Sequence, residues 1–426
     1  MFWSCARRCV PIVTLVVTTT LAYAEINLEL NQATIGTIPV AIEPSGTHRS
    51  DEQVHEIARI VEKDLGYSEK IKVVSNATSA DFLVRIKRDN LSTVRHGAEQ
   101  TFCMHLEYPL RKKDHATPKP FCLSGNPKTQ LRLIAHQFAD RAHDHTTGKR
   151  NVFTHKIGYV KESGGQDRNK TYQIAVSDFD RHNEQVLLES TSPIMSLAFS
   201  PDGQKLAYVS FEEDVSRIFI QDLTSGNRQV ISEFSGVNAA PSWSPDGKKI
   251  AMALSFSGIT KIYTMDLSTR SIEKITSGQF IDTEPFWLKD GSKLIFSSNR
   301  SGSPQIHEYD FKTKKIKQLT FHGHYNVAPQ MTSDEQHLIY LSKIDKKLQI
   351  VSQNLKNRSI RYLGNGKYDD TPRISPTNDM ILYTTANGTQ TMLAIVSVDG
   401  TIKVPMAADK ISLKHPSWSP ISQWKH

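Results

Sequence analysis

The chain has 426 residues, 38 % hydrophobic and 23 % charged, with a formal charge of +8. That is globular material for two or three domains. The basic runs Arg111-Lys112-Lys113, Lys312–Lys317 and Lys346-Lys347 fall in separate turn-like segments rather than along one helix face, so no nucleic-acid partner is expected.

Residues 1–24 read as a secretory signal. Arg7 and Arg8 form the positive region, Val10–Leu21 a short apolar run, and Ala22-Tyr23-Ala24 a small-x-small cleavage site. Export with a mature start at Glu25 is expected, leaving a charge of +6 and no membrane-spanning segment. Cys5 and Cys9 leave with the signal. Cys103 and Cys122 remain, in two short strand-like runs that a hairpin would place opposite each other. Either a disulfide or two buried free thiols fits that pattern.

Residues 25–150 read as a small α/β domain. Ile38–Ile42, Ile71–Val74 and Asp81–Lys87 have strand character, followed by the two cysteine-bearing strands. Ser50 and Asp51 open an amphipathic helix through Leu65, and Leu131–His145 is a second helix, each with its apolar residues on one face. The order of the strands is not legible from these residues.

From residue 151 onward an internal repeat governs the chain. The segments SLAFSPDGQKLAYV, PSWSPDGKKIAMAL, PFWLKDGSKLIFSS, PQMTSDEQHLIYLS, PRISPTNDMILYTT and PSWSP align on the anchors Phe199, Trp243, Trp287, Met331, Ile374 and Trp418. Each unit holds an apolar strand, a Ser-Pro-Asp-Gly type turn, a second apolar strand, an alternating third strand and a short fourth. Four antiparallel strands in a repeat of this length make a propeller blade. Ile157–Val160 lacks a preceding anchor strand, and Pro416–Pro420 lacks a following one, so the two chain ends are expected to complete one blade together. The fold class is therefore mainly β: a small α/β domain over 25–150, then a six-bladed propeller over 151–426.

Three stretches resemble the TolB family: the helix-to-linker run AHQFADRAHDHTTGKRNVFTHKIGYV, the P-x-W-SPDG repeats, and the junction LTFHGHYNVAPQ. Glu25–Leu30 matches that family's opening strand only loosely. The resemblance implies a periplasmic component of the Tol-Pal system. It implies binding to the lipoprotein Pal, contact with TolA through the N-terminal segment, and a role in envelope integrity and constriction at cell division.

Catalytic chemistry is not expected. A G-x-S-x-G elbow is absent from the sequence, as is a spare region of hydrolase size. His143-Asp144-His145 and His322-Gly323-His324 are weak candidates for metal, and no metal or cofactor is assigned. Three residues before the anchor-strand proline, four blades carry a short polar side chain: Asn238, Asp282, Asn326 and Asp369. The fifth proline-bearing blade has Leu413 there, and the blade of Phe199 has Ile194. Glu284, Tyr325, Tyr368 and His415 fall in the same loops. These eight residues are expected to gather at one mouth of the central channel as a protein-binding face. The alternative is a propeller enzyme or small-molecule binder that uses the channel itself.

Overall fold

The structure is a computed structural model and describes residues 36–45, 51–89, 99–110, 118–149, 151–164, 170–364, 368–406 and 411–420. The signal-like segment, Glu25–Leu30 and Arg111–Lys113 lie outside the described residues.

Among the described residues, the N-terminal unit is a five-stranded sheet with two helices on one face. In chain order its strands are β1 (Ile38–Pro44), β2 (Ile71–Val73), β3 (Phe82–Arg88), β4 (Gln100–Glu107) and β5 (Phe121–Gly125). Their order across the sheet is β2-β1-β3-β4-β5. β1 runs parallel to both β2 and β3, whereas β3, β4 and β5 are antiparallel. Helix α1 (Glu52–Leu65) begins where Asp51 accepts a hydrogen bond from Val54 N, and Arg88 anchors the same carboxylate at 2.8 Å. Helix α2 (Leu131–Thr147) ends at Gly148, whose φ of 70° suits a residue without Cβ. Val54, Ile57, Val61 and Leu65 of α1 and Ile134, Phe138 and Ala142 of α2 share one core with Val84, Ile86, Phe102 and Met104 of the sheet. Cys103 and Cys122 stand opposite each other in the β4–β5 register and are bonded as a disulfide, with Cα atoms 4.1 Å apart.

Among the described residues, six four-stranded antiparallel sheets follow, one per blade. The innermost strands are Ile194–Phe199, Asn238–Trp243, Asp282–Trp287, Asn326–Met331, Asp369–Ile374 and Ser412–Trp418. The last of these pairs with Lys156–Ser163, Trp418 opposite Ile157, so strands from the two ends of the propeller share one blade. Second strands such as Leu206–Val209 and Ile250–Leu254 are buried throughout because neighbouring blades cover both their faces. Hence they read as unbroken apolar runs rather than alternating ones.

The repeated turn has a specific chemistry. Ser244 Oγ donates to Asp246 Oδ1 at 2.6 Å and accepts from Lys249 N at 2.8 Å, while Gly247 takes φ of 69°. Ser200 and Asp202 repeat this in the preceding blade. The Ser244 hydroxyl and the Lys248 amide hold the Asp246 carboxyl below its ordinary range. The anchor tryptophans join blades: Trp243 Nε1 donates to Ala198 O at 3.0 Å, Trp287 Nε1 to Ser242 O at 3.2 Å, and Trp418 Nε1 to Arg373 O at 3.1 Å. Each large ring fills the gap between blades while its polar N–H keeps a partner.

Candidate functional site at one mouth of the propeller

The loops that enter the innermost strands share one end of the propeller with the loops between second and third strands. Val237 N donates to Ser255 Oγ, Asn238 N to Ser216 Oγ and Ile281 N to Asn299 Oδ1. The opposite end, carrying the Ser-Pro-Asp-Gly type turns, faces the N-terminal unit: Ser68, Glu69 and Lys149 line a cleft with Ser333, Asp379 and Asp399. The first mouth is therefore the one turned away from the N-terminal unit.

Each expected site residue has a clear place. Asn238, Asp282, Asn326 and Asp369 open their innermost strands and have no exposed surface. Asn238 donates to Phe234 O at 2.6 Å and accepts from Ser232 Oγ at 2.6 Å. Asn326 donates to Gln305 Oε1 and His322 O. Asp369 accepts from Thr385 Oγ1. Asp282 accepts from Lys261 Nζ at 3.0 Å and Arg300 at 2.8 Å. Burial alone would raise the Asp282 carboxyl, but its bonds to Ser298, Arg300 and Lys261 outweigh this and hold it low. The expectation that these four side chains form the contact surface is thus corrected. The side chains turn inward to hold the loops, since a buried polar group needs such partners.

Tyr325 and Tyr368 are exposed at the rim, and Tyr368 OH reaches Asp370 Oδ2 at 3.4 Å. Glu284 and His415 belong to the channel. Each innermost strand carries one left-handed residue at the same repeat position: Ser196, Ala240, Glu284, Ala328, Thr371 and His415, with φ between 49° and 58°. Next to each proline-bearing one the register breaks in a bulge. All six line a channel cavity of about 500 Å³. There Glu284 Oε2 accepts from Ser297 Oγ at 2.6 Å and from Ala328 N of the next blade at 2.8 Å. Burial raises the Glu284 carboxyl. Burial also lowers His415 to about 4, against the pull of Asp370, so its imidazole is neutral at pH 7. Arg373 completes the set, its guanidinium lowered by burial and countered by Glu284 and Asp370.

The rim has a component that the polar ring did not announce. Immediately before the four buried caps stand Val237, Ile281, Tyr325 and Tyr368, all exposed, Ile281 by 52 %. Phe256, Ile259, Phe280 and Phe321 add exposed apolar surface in the neighbouring loops. Large apolar side chains gathered on one face mark an interaction site more often than scattered ones do.

A family model described as "TolB beta propeller domain" matches residues 143–422, more than half of the chain. The chain belongs to the TolB family. A TolB crystal structure from Acinetobacter baumannii superposes with a TM-score of 0.82 at 28 % identity, covering 93 % of this chain and 99 % of that one. The Tol-Pal system protein TolB of Legionella pneumophila (strain Corby) is 35 % identical over 205 residues, which is 46 % of this chain and 47 % of the relative. That of Bordetella pertussis (strain Tohama I) is 45 % identical over 91 residues, 21 % of this chain and 20 % of the relative. The chain spans about half the length of most of the curated relatives it matches. Within this TolB-type fold the histidine pairs have ordinary surroundings. His143 is buried against Ser68 Oγ and Lys149 O, His145 meets Tyr108 OH, and His322 and His324 are exposed in a loop.

Proposed function

We propose that this chain is a non-catalytic, periplasmic binding scaffold of a Tol-Pal system, and that it docks Pal on the mouth ringed by Val237, Ile281, Tyr325 and Tyr368. Through that contact it serves outer-membrane integrity and envelope constriction during division. By the same resemblance the segment from Glu25 reaches TolA. The observation that carries the reading is the paired construction of the rim. Buried Asn238, Asp282, Asn326 and Asp369 fix four loops, and the residue before each cap is an exposed apolar or aromatic side chain. Preordered loops that present tyrosines and aliphatic side chains lower the ordering cost of association. Tyrosine is also a frequent centre of binding energy.

Titration calorimetry of the full mature chain against the cognate Pal domain tests the reading. A saturable 1:1 isotherm is expected, as is loss of binding when the rim is altered. A folded chain that gives no heat with Pal and none on mixing with envelope extract depleted of small molecules would reject the scaffold reading. Heat retained only from the small-molecule fraction would favour the channel, with Glu284, Arg373 and His415, as a small-molecule site.

A further inference from the structure

Between the N-terminal unit and the blade shared by the two ends of the propeller lies a buried cluster that the proposed function does not use. Asp64 lies in the last turn of α1, His136 and Arg132 come from α2, Asp178 closes the strand Thr171–Asp178, and Asp180 lies in the turn after it. Asp64 and His136 are buried, and the Asp180 side chain is fully covered. Asp64 Oδ2 lies 2.6 Å from His136 Nδ1, and Arg132 pairs with Asp180 Oδ2. One ring nitrogen of His136 and one carboxylate oxygen each of Asp178 and Asp180 lie within 4.8 Å of one another.

Among the described residues, three atoms of this cluster are buried without a protein hydrogen-bond partner: His136 Nε2, Asp64 Oδ1 and Arg132 Nε. Buried polar atoms are nearly always paired, so three orphans in one place call for a shared explanation. His136 Nδ1 is already committed to Asp64, which leaves Nε2 as the nitrogen available for a second bond. A carboxylate on the far nitrogen of an imidazole is the device that orients a metal-binding histidine.

We propose that His136 Nε2, Asp178 and Asp180 bind one divalent transition ion of the zinc class, with Asp64 orienting the imidazole, and that the ion clamps the N-terminal unit to the propeller. One nitrogen and two carboxylate oxygens, with water as the fourth ligand, suit zinc. Calcium and magnesium want more oxygen ligands than the cluster offers. Binding draws the donors together, because zinc takes its ligands at about 2 Å. Arg132 is the resident competitor for Asp180. The other Asp180 oxygen accepts a long bond from His182 N, at 3.4 Å. Asp178 is held by Asn183 Nδ2 at 2.6 Å, with Lys156 at 3.7 Å. His136 lies 42 residues before Asp178 and 44 before Asp180, too far for a local motif to show the three together.

The test uses the full mature chain stripped with chelator, titrated with Zn2+ by calorimetry and with Co2+ by visible absorption. A single tight equivalent is expected, with a cobalt d–d spectrum and a raised melting temperature. His136→Asn keeps an N–H for Asp64 but removes the Nε2 ligand, and should abolish the cobalt spectrum and the thermal gain. Asp64→Asn should weaken affinity about 10- to 100-fold. Arg132→Gln should tighten it, which a purely structural ion network would not do. His322→Ala should change nothing. If His136→Asn disturbs folding by circular dichroism, Asp178→Asn carries the same comparison. Unchanged cobalt binding in folded His136→Asn or Asp178→Asn, loss in His322→Ala, or no tight equivalent in the wild type would each overturn the site.

Discussion

Trp418 Nε1 donates to the carbonyl oxygen of Arg373 at 3.1 Å, tying the last innermost strand to the blade before it. Trp418 also pairs in register with Ile157, 261 residues earlier, so one side chain serves both the closing blade and its neighbour. On the other side of that blade an added Cβ at Gly158 would stand 3.0 Å from the Phe199 ring of the first blade, so the next contact around the ring has no spare room.

Trp418→Ala is therefore expected to lower unfolding free energy by about 3–5 kcal/mol, the usual loss for deleting a large buried aromatic. Removal of residues 414–426 should do more, since it also strips the edge strand from Ile157–Val160 and yields aggregate. Denaturant unfolding of the point variant and solubility of the truncation are the measurements. A truncated chain that is soluble, with an unchanged thermal midpoint, would show that closure does not stabilise the ring.

Much of this architecture was legible because a propeller repeats its chemistry. The anchors and the Ser-Pro-Asp-Gly type turns recur at one spacing, which a sequence displays directly, and Ile157–Val160 and Pro416–Pro420 stand out against it as unmatched halves of a unit. The order β2-β1-β3-β4-β5 was not legible, because parallel neighbours are chosen by how α1 and the sheet pack and no local pattern records it. At the mouth, the repeat position of Asn238, Asp282, Asn326 and Asp369 was visible, but the direction of their side chains was not. A strand's first residue can turn inward or outward, and the partners that decided it, such as Lys261 for Asp282 and Gln305 for Asn326, lie on the third strand of the preceding blade. The apolar residue before each cap was a readable signal, since Val237, Ile281, Tyr325 and Tyr368 keep the same offset.

The disulfide gives a second measurable quantity. Cys103 and Cys122 are separated by 19 residues, and closing a loop of that size in the unfolded chain is worth about 3 kcal/mol. Changing both residues to Ser should cost the N-terminal unit about that much and leave the blades unaffected. Limited proteolysis should then cut first in the β4–β5 region. Equal losses of protection in the propeller would mean that the two units unfold as one.

The cleft between the N-terminal unit and the turn end of the propeller should respond to pH. Burial pushes Glu69 up to about 7, aided by the Asp399 charge, by a carboxyl–carboxylate hydrogen bond to Asp399, and by Asp379. A carboxyl raised in the folded state favours folding most when protonated. Its contribution is full below the ordinary carboxylate range and is lost as pH rises through about 7. Glu69 is partly open to solvent, so the effect is on the order of 1 kcal/mol after screening. Relative to Glu69→Gln, the wild type should lose melting temperature between pH 5.5 and pH 8 (test conditions, spanning roughly the shift expected of a raised carboxyl). A wild type that instead gains stability over that range has the opposite sign.

The rim and its buried supports should separate in two measurements on the same variants. Tyr325→Ala and Tyr368→Ala remove exposed rings, so melting should stay near the wild-type value. Pal binding should weaken by about 1–2 kcal/mol each, roughly 5- to 30-fold. Ile281→Ser should behave alike. Asn326→Ala removes a buried amide that donates to Gln305 Oε1 and His322 O. It should lower stability by about 1–3 kcal/mol, because those acceptors lose their partner, and it should weaken Pal only through the displaced loop. Asp282→Ala should cost more, since it leaves Lys261 buried without its carboxylate. Lys205→Ala and Lys248→Ala, at the turn end of the propeller, should leave both readings unchanged. The informative pattern is the crossing: tyrosines that lose affinity without stability, caps that lose stability first, and turn lysines that lose neither. Affinity lost from the turn lysines while both tyrosine variants bind normally would place the partner on the opposite end, against the N-terminal unit.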